Sequence, residues 1–264
     1  MKIKDLENKS NIIRKLVCEM CLHAESGHPN SSLSCVDLLT VIFFSEYNKN
    51  LDSFILSKGH AAPALYSVFI ANGFLKKEFV NELRNFDSPL QGHPDRLRLP
   101  EVGASTGALG QGLSMSIGRA IGKTKRNQSG YSYCIIGDGE SQEGQIWEAA
   151  LFAGNRNIKN LIVFCDYNKG QSDGPLSEIM PLGDLKAKWL SFGWNVLEIN
   201  GHSIKEIYEG INISKTKKDE KPTMIISHTQ KGYISENLTI LDQDHGGKMT
   251  PETFKVVLNE LNLS

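Results

Sequence analysis

The chain has 264 residues, 40% hydrophobic and 22% charged, a balance that fits a folded globular protein and excludes a disordered or fibrous one. Its formal net charge is -1 and no basic run stands out, which excludes nucleic-acid recognition by a charged face. No stretch is long and apolar enough to be a membrane-spanning helix.

Met1 to Ala24 interleaves charges with apolar residues. It reads as an amphipathic helix over 5–22 and not as a secretory signal, so the chain is expected in the cytoplasm. Cys18-Glu19-Met20-Cys21 has the spacing of a zinc or redox pair, but it lies inside that helix and no second CxxC exists. Further helices are predicted over 34–46, 62–73, 76–85, 110–122, 143–154, 184–192, 203–216 and 251–261. Strands are predicted over 54–56, 131–136, 161–165, 194–199 and 223–227. Their alternation predicts one α/β domain over 1–264, a doubly wound parallel sheet with helices on both faces. Lys215 to Lys221 reads as a solvated loop. Residues 229–250 have turn signals but no period, and read as a long loop returning to the active edge.

Two polar residues end apolar runs at the same edge of the predicted sheet. Asp138, in Gly137-Asp138-Gly139, follows Tyr133 to Ile136; Asn168 follows Leu161 to Cys165. The segment between them reads as one β-α-β unit whose helix puts Ile146, Ala149, Ala150 and Ala153 on one face. Parallel strands would bring both residues to the carboxyl edge, where open α/β sheets bind ligands. A carboxylate, an amide oxygen and nearby backbone carbonyls make an oxygen-only site suited to Mg²⁺ or Ca²⁺. Taken alone, Gly-Asp-Gly is also an ordinary turn.

Five of the seven histidines touch a glycine: His28, His60, His93, His202 and His245. Such loops can bring an imidazole close to a ligand, although local backbone can satisfy any one of them. Gly107-Ala108-Leu109-Gly110-Gln111-Gly112 leads into a helix of small residues, suited to an anion at its N-terminus or simply to close packing. Glu143 begins a helix, where the dipole favours a carboxylate.

The string Gly137-Asp138-Gly139-Glu140, Glu143-Gly144, Trp147-Glu148-Ala149 and Asp166-Tyr167-Asn168 resembles the metal-diphosphate motif of thiamine diphosphate enzymes, in its transketolase form. Ser26-Gly27-His28-Pro29, Leu56 to Ala61, Gly92-His93-Pro94, Ser105 to Gly112 and Asp244-His245-Gly246 appear in transketolase order. The chain resembles the N-terminal subunit of a split transketolase with the thiamine diphosphate-binding fold. That resemblance implies Asp138, Asn168 and Gly170 as metal ligands, with Gly139 beside the diphosphate. It assigns Gly107 and Leu109 to the thiamine rings, His60 and His245 to the diphosphate or reacting carbon, and His28 and His93 to the substrate channel. Glu143 would pair with the catalytic glutamate of a C-terminal partner subunit carrying the pyrimidine-binding domain, giving an α₂β₂ assembly.

The implied reaction is transfer of a two-carbon ketol unit from a ketose to an aldehyde, with sugars as substrates. Asn30-Ser31 and Pro100-Glu101-Val102-Gly103 depart from the family pattern, and no further Lys-Gly follows Lys231-Gly232. The alternatives are the same machinery with a specialised acceptor, and a non-catalytic scaffold role.

Overall fold

The computed structural model describes residues 2–171, 173–240 and 248–263. The first third is mostly helical: α1 (Ile3–His23), α2 (Pro29–Leu33), α3 (Val36–Val41), β1 (Ser53–Leu56) and α4 (Ala62–Ala71). Next come α5 (Gln111–Lys125), β2 (Ser132–Gly137), α6 (Gly144–Asn155), β3 (Leu161–Tyr167), and the two-residue strands β4 (Gly170–Gln171) and β5 (Gly174–Pro175). The last part is α7 (Leu176–Ile179), α8 (Leu185–Ser191), β6 (Asn195–Asn200), α9 (Ile204–Thr216), β7 (Thr223–His228), β8 (Tyr233–Ser235), β9 (Leu238–Thr239) and α10 (Pro251–Glu260).

Five strands form one parallel sheet in the order β1-β2-β3-β7-β6. The central strands read as unbroken apolar runs because both of their faces are covered. Alternate residues feed two different cores. Tyr133, Ile135, Ile162 and Phe164 pack with α1, α3, α4 and α9, while Cys134, Ile136, Val163 and Cys165 pack with α5, α6 and α8. Helix starts follow local chemistry: Asp184 accepts the Ala187 N–H at 2.8 Å to open α8, and Thr250 accepts the Thr253 N–H at 3.1 Å to open α10. Cys18 and Cys21 both lie on the core side of α1, fully buried, and all five cysteines are free.

Two predicted helices differ. The one expected over 34–46 is divided into α3 and a π-helical turn over Ile42–Glu46, after the separate α2. The break falls at Ser34 and Cys35, where the Ser34 hydroxyl donates to Asp166 Oδ2 at 2.6 Å and Cys35 takes φ -104°, ψ 8°. The helix expected over 76–85 shortens to a 3₁₀ turn over Lys77–Asn81. Arg84 has φ +62°, outside helical space, and its N–H goes instead to the Leu90 carbonyl at 2.8 Å. Within 229–250, the described part contains the short antiparallel pair β8 and β9.

Candidate active site

Loops that leave the carboxyl ends of β1, β2 and β3 meet around one cavity of about 330 Å³. His28, His60 and His93 line it, together with Gly107 and Leu109. So do Asp138, Gly139, Glu143, Asn168 and Gly170. The His28 and His60 rings meet edge to face with centroids 5.6 Å apart. His93 lies against Gly107, where an added Cβ would stand 2.9 Å from the imidazole. Burial, then the nearby Arg84 charge, holds the His93 imidazole below the ordinary histidine range. His202 is not among the lining residues. His245 lies outside the described residues.

The loops are joined at close quarters. A Cβ on Gly59 would sit 2.7 Å from the Gly107 nitrogen, so the two backbones touch only because neither position carries a side chain there. Glu140 fastens the same region. Its carboxylate accepts the Ser57 hydroxyl at 2.5 Å, the Gly110 N–H at 2.8 Å and the Gly137 N–H at 3.0 Å. It therefore links the loops after β1 and β2 with the loop that enters α5. Burial raises the Glu140 carboxyl; the three donors and Lys58 oppose that rise.

Asp138 is 2% exposed and its carboxylate accepts the Gly139 N–H at 2.8 Å and the Lys169 N–H. Burial, then the Asp166 charge, pushes its pKa up to about 6. Asp138 makes no ion pair among the described residues, so a cation would relieve a buried charge there. The Asn168 amide is oriented by its nitrogen, which lies 3.3 Å from the Ser34 hydroxyl and 3.4 Å from Asp166 Oδ2. Its oxygen is left as the acceptor, and takes the Gly170 N–H at 3.1 Å. One carboxylate, one amide oxygen and a backbone carbonyl are hard donors, of the kind that suits Mg²⁺ or Ca²⁺.

Beneath this seat lies a buried ion pair. Lys58 donates to Asp166, and also to the Ser31 carbonyl at 3.0 Å. Asp166 further accepts the Ser34 and Thr229 hydroxyls. Burial alone would raise the Asp166 carboxyl, but Lys58 and these donors hold it below the usual range. Burial would likewise lower Lys58, and Asp166 drives it up instead.

Four contributors escaped the sequence analysis as site residues. Lys58 and Glu140 stand inside quoted motifs, yet only the fold brings their charges under the cavity. Lys231 comes from the loop after β7; its ammonium lies 3.3 Å from the Gln171 carbonyl, and its side chain packs against Gly170. Arg84 flanks His93, with its guanidinium 2.9 Å from where a Cβ on Gly92 would be. Lys231-Gly232 served in the sequence only as a landmark of the resembled pattern, and a lone Arg before a loop carried nothing that separates it from a solvated charge.

The family model described as the transketolase thiamine diphosphate binding domain matches residues 6–262. The chain is 39% identical over 265 residues to the 6-deoxy-6-sulfo-D-fructose transketolase subunit SqwG of Clostridium sp. (strain MSTE9), covering 97% of this chain and 96% of that protein. It is 35% identical over 272 residues to one subunit of the apulose-4-phosphate transketolase of Phocaeicola vulgatus, covering 99% and 95%. Human transketolase is 34% identical over 272 residues, covering 98% of this chain but 42% of the human protein. The transketolase crystal structure from Campylobacter jejuni superposes with a TM-score of 0.90 at 28% identity, covering all of this chain and 44% of that one. The chain therefore belongs to the transketolase family, in which it corresponds to transketolase subunits that carry the thiamine diphosphate-binding domain.

Proposed function

We propose that this chain holds the diphosphate end of thiamine diphosphate through Mg²⁺ or Ca²⁺ on Asp138, Asn168 and the Gly170 carbonyl, and works in the cytoplasm with a C-terminal subunit that supplies the pyrimidine-binding domain. The observation that carries the reading is the convergence of Asp138 and Asn168 with three histidines on one cavity at the carboxyl edge of a parallel sheet. The whole chain acts as one domain in this reading. Bound there, thiamine diphosphate supplies the electron sink for moving a two-carbon ketol unit from a ketose to an aldehyde.

The chain's own residues do the rest. Asp138 and Asn168 present oxygens to the metal, and Lys231 adds a cation beside Gly170. Gly139, Gly107 and Leu109 let the cofactor approach backbone and a small apolar surface. His28, His60 and His93 donate to or accept from sugar hydroxyls, since imidazoles can exchange protons near neutral pH. His245 is assigned to the same group by the resemblance alone.

Glu143 is exposed at the cavity rim and its carboxylate has no hydrogen-bond partner among the described residues, which suits a group that pairs with a glutamate of the partner. The same reading takes the assembly as α₂β₂, with two copies of this chain at its centre. The names of SqwG and of the apulose-4-phosphate enzyme specify a sulfonated and a phosphorylated sugar. Arg84, which packs against Gly92 and whose charge reaches His93, is assigned in this reading to the charge that an anionic ketose of that kind needs.

Calorimetric titration of the assembled enzyme tests the metal seat. Asp138→Ala should abolish Mg²⁺-dependent binding of thiamine diphosphate, and unchanged binding would overturn the assignment. The isolated chain with cofactor and Mg²⁺ should show no ketol transfer until the partner is added.

A further inference from the structure

Lys231 lies against Gly170 and Gln171, which line the cavity, and both of its neighbours in the chain are pinned. The Gln230 N–H donates to Nε2 of His202 at 2.9 Å. The Gly232 N–H donates to the Asn30 carbonyl at 2.9 Å. Thr229, two residues before Lys231, donates its hydroxyl to Asp166. Two residues after it, the Tyr233 ring stacks on His202 with centroids 3.5 Å apart and planes 13° from parallel. Asn30 is one of the departures from the resembled pattern, and it meets another here, the stretch at Lys231-Gly232.

The other nitrogen of His202, Nδ1, stands 3.0 Å from Asp37 Oδ2. The same carboxylate takes the Arg14 guanidinium. His202 and Asp37 side chains are 7% and 4% exposed, so water does not compete. These contacts fix the tautomer. Nε2 receives a backbone N–H and must be bare, so the proton sits on Nδ1 and is donated to Asp37.

We propose that His202 is a positioning residue for Lys231: a neutral imidazole, held in its Nδ1–H form by Asp37, whose bare Nε2 fixes the segment that carries Lys231 to the diphosphate end of the cavity. This rests on the reading of that cavity as a diphosphate site. A histidine that only filled space would be indifferent to which of its nitrogens is bare. Here each nitrogen has one required role, and the acceptor alone faces the Lys231 segment.

Two substitutions separate the roles. His202→Gln puts an amide oxygen where Nε2 stands and loses the donor to Asp37. His202→Asn keeps an N–H for Asp37 and loses the acceptor for Gln230. Acylation of lysines in the full chain, read by mass spectrometry, reports the freedom of Lys231, with Lys205, 67% exposed, as internal reference. Lys231 should label about five-fold faster in His202→Asn, the factor expected from one lost hydrogen bond, and stay within about two-fold of the parent in His202→Gln.

The parent should also give the Nδ1–H pattern in imidazole ¹⁵N spectra. Equal labelling in the two variants, or an Nε2–H tautomer, overturns the inference. Unfolding in urea is measured in parallel: equal stability losses with unchanged labelling mean a structural role only, and also overturn it. Excess thiamine diphosphate with Mg²⁺ tests the underlying reading. Slower labelling of Lys231 in the parent supports it; no slowing, with the split between the variants intact, removes the diphosphate role and leaves the pinning of Lys231 standing.

Discussion

Asp138→Asn should make the metal-free chain more stable while it removes the metal seat. Asp138 is 2% exposed, and burial followed by the Asp166 charge raises its pKa from 3.8 to about 6. A folded-state pKa above the unfolded value means that folding favours the neutral acid. That contribution is fully present below pH ~3.8 and is lost as pH rises through about 6. A shift of about two units at 1.36 kcal/mol each corresponds to ~3 kcal/mol by which the charged form burdens the metal-free fold at pH 8.

The amide variant removes the charge and keeps an acceptor for the Gly139 N–H. Its NH₂ then faces the Lys169 N–H, donor against donor, which costs ~1 kcal/mol. The expected gain at pH 8 is therefore ~2 kcal/mol, shrinking below ~1 kcal/mol at pH 5, where part of the burden is already relieved in the parent. Urea unfolding at both pH values, with and without Mg²⁺ and thiamine diphosphate, measures this. The parent should gain stability from the ligands and the variant should not. A variant that is destabilised equally at both pH values refutes the buried-charge argument, and one that keeps the Mg²⁺-dependent gain refutes Asp138 as a ligand.

Lys58→Met should cost ~3–5 kcal/mol by leaving Asp166 charged and buried without its cation, and Lys58→Met with Asp166→Leu should recover most of that loss in urea unfolding. A single variant within about 1 kcal/mol of the parent would contradict the ion pair. Gly59→Ala should lower the melting temperature sharply, because its Cβ meets the Gly107 nitrogen at 2.7 Å and backbone cannot yield. Gly118→Ala, on an open face of α5 with nothing within 4 Å, should instead stabilise by roughly 0.5–1 kcal/mol, and equal effects of the two would sink the close-approach claim. Arg84→Ala should raise KM for an anionic ketose about ten-fold with kcat kept, and leave a neutral ketose unaffected in the assembled enzyme.

The parts of the site that ride on strand periodicity were legible in the sequence. Asp138 and Asn168 each end an apolar run, and parallel strands bring both to one edge; the register, with Gly137 opposite Asp166, came from the structure. The histidine-glycine loops were legible because glycine next to a functional group marks close approach, as at His93 and Gly107. What lay hidden depends on contacts between residues far apart in the chain. Lys58 meets Asp166 across 108 positions, and nothing local distinguishes it from a surface lysine. The break after α2 depends on a hydroxyl drawn 132 positions along the chain to the same Asp166, which helical propensity cannot register. Lys231 reaches the site only through hydrogen bonds made by its neighbours.

The way Glu140 ties three loops to one carboxylate bears on how such an enzyme can change its substrate. Ser57, Gly110 and Gly137 share a single acceptor, so changes among them should interact strongly rather than add. Variation there would be filtered by foldability before any new chemistry could be tested. Arg84 and the segment around His93 make no bond to Glu140; that segment is held instead by the Tyr66 hydroxyl, which donates to the Gln91 and His93 carbonyls at 3.0 and 3.3 Å, and by the Thr106 N–H, which donates to the Pro94 carbonyl at 3.1 Å. Substitutions at this rim can accumulate while the cofactor seat keeps its shape. Drift of sugar preference should therefore leave its marks on the exposed positions of residues 84–101, away from the buried Leu90 and Leu99, and spare 137–143, and a library randomised at those exposed positions should yield far more folded, cofactor-binding variants than one randomised over 137–143.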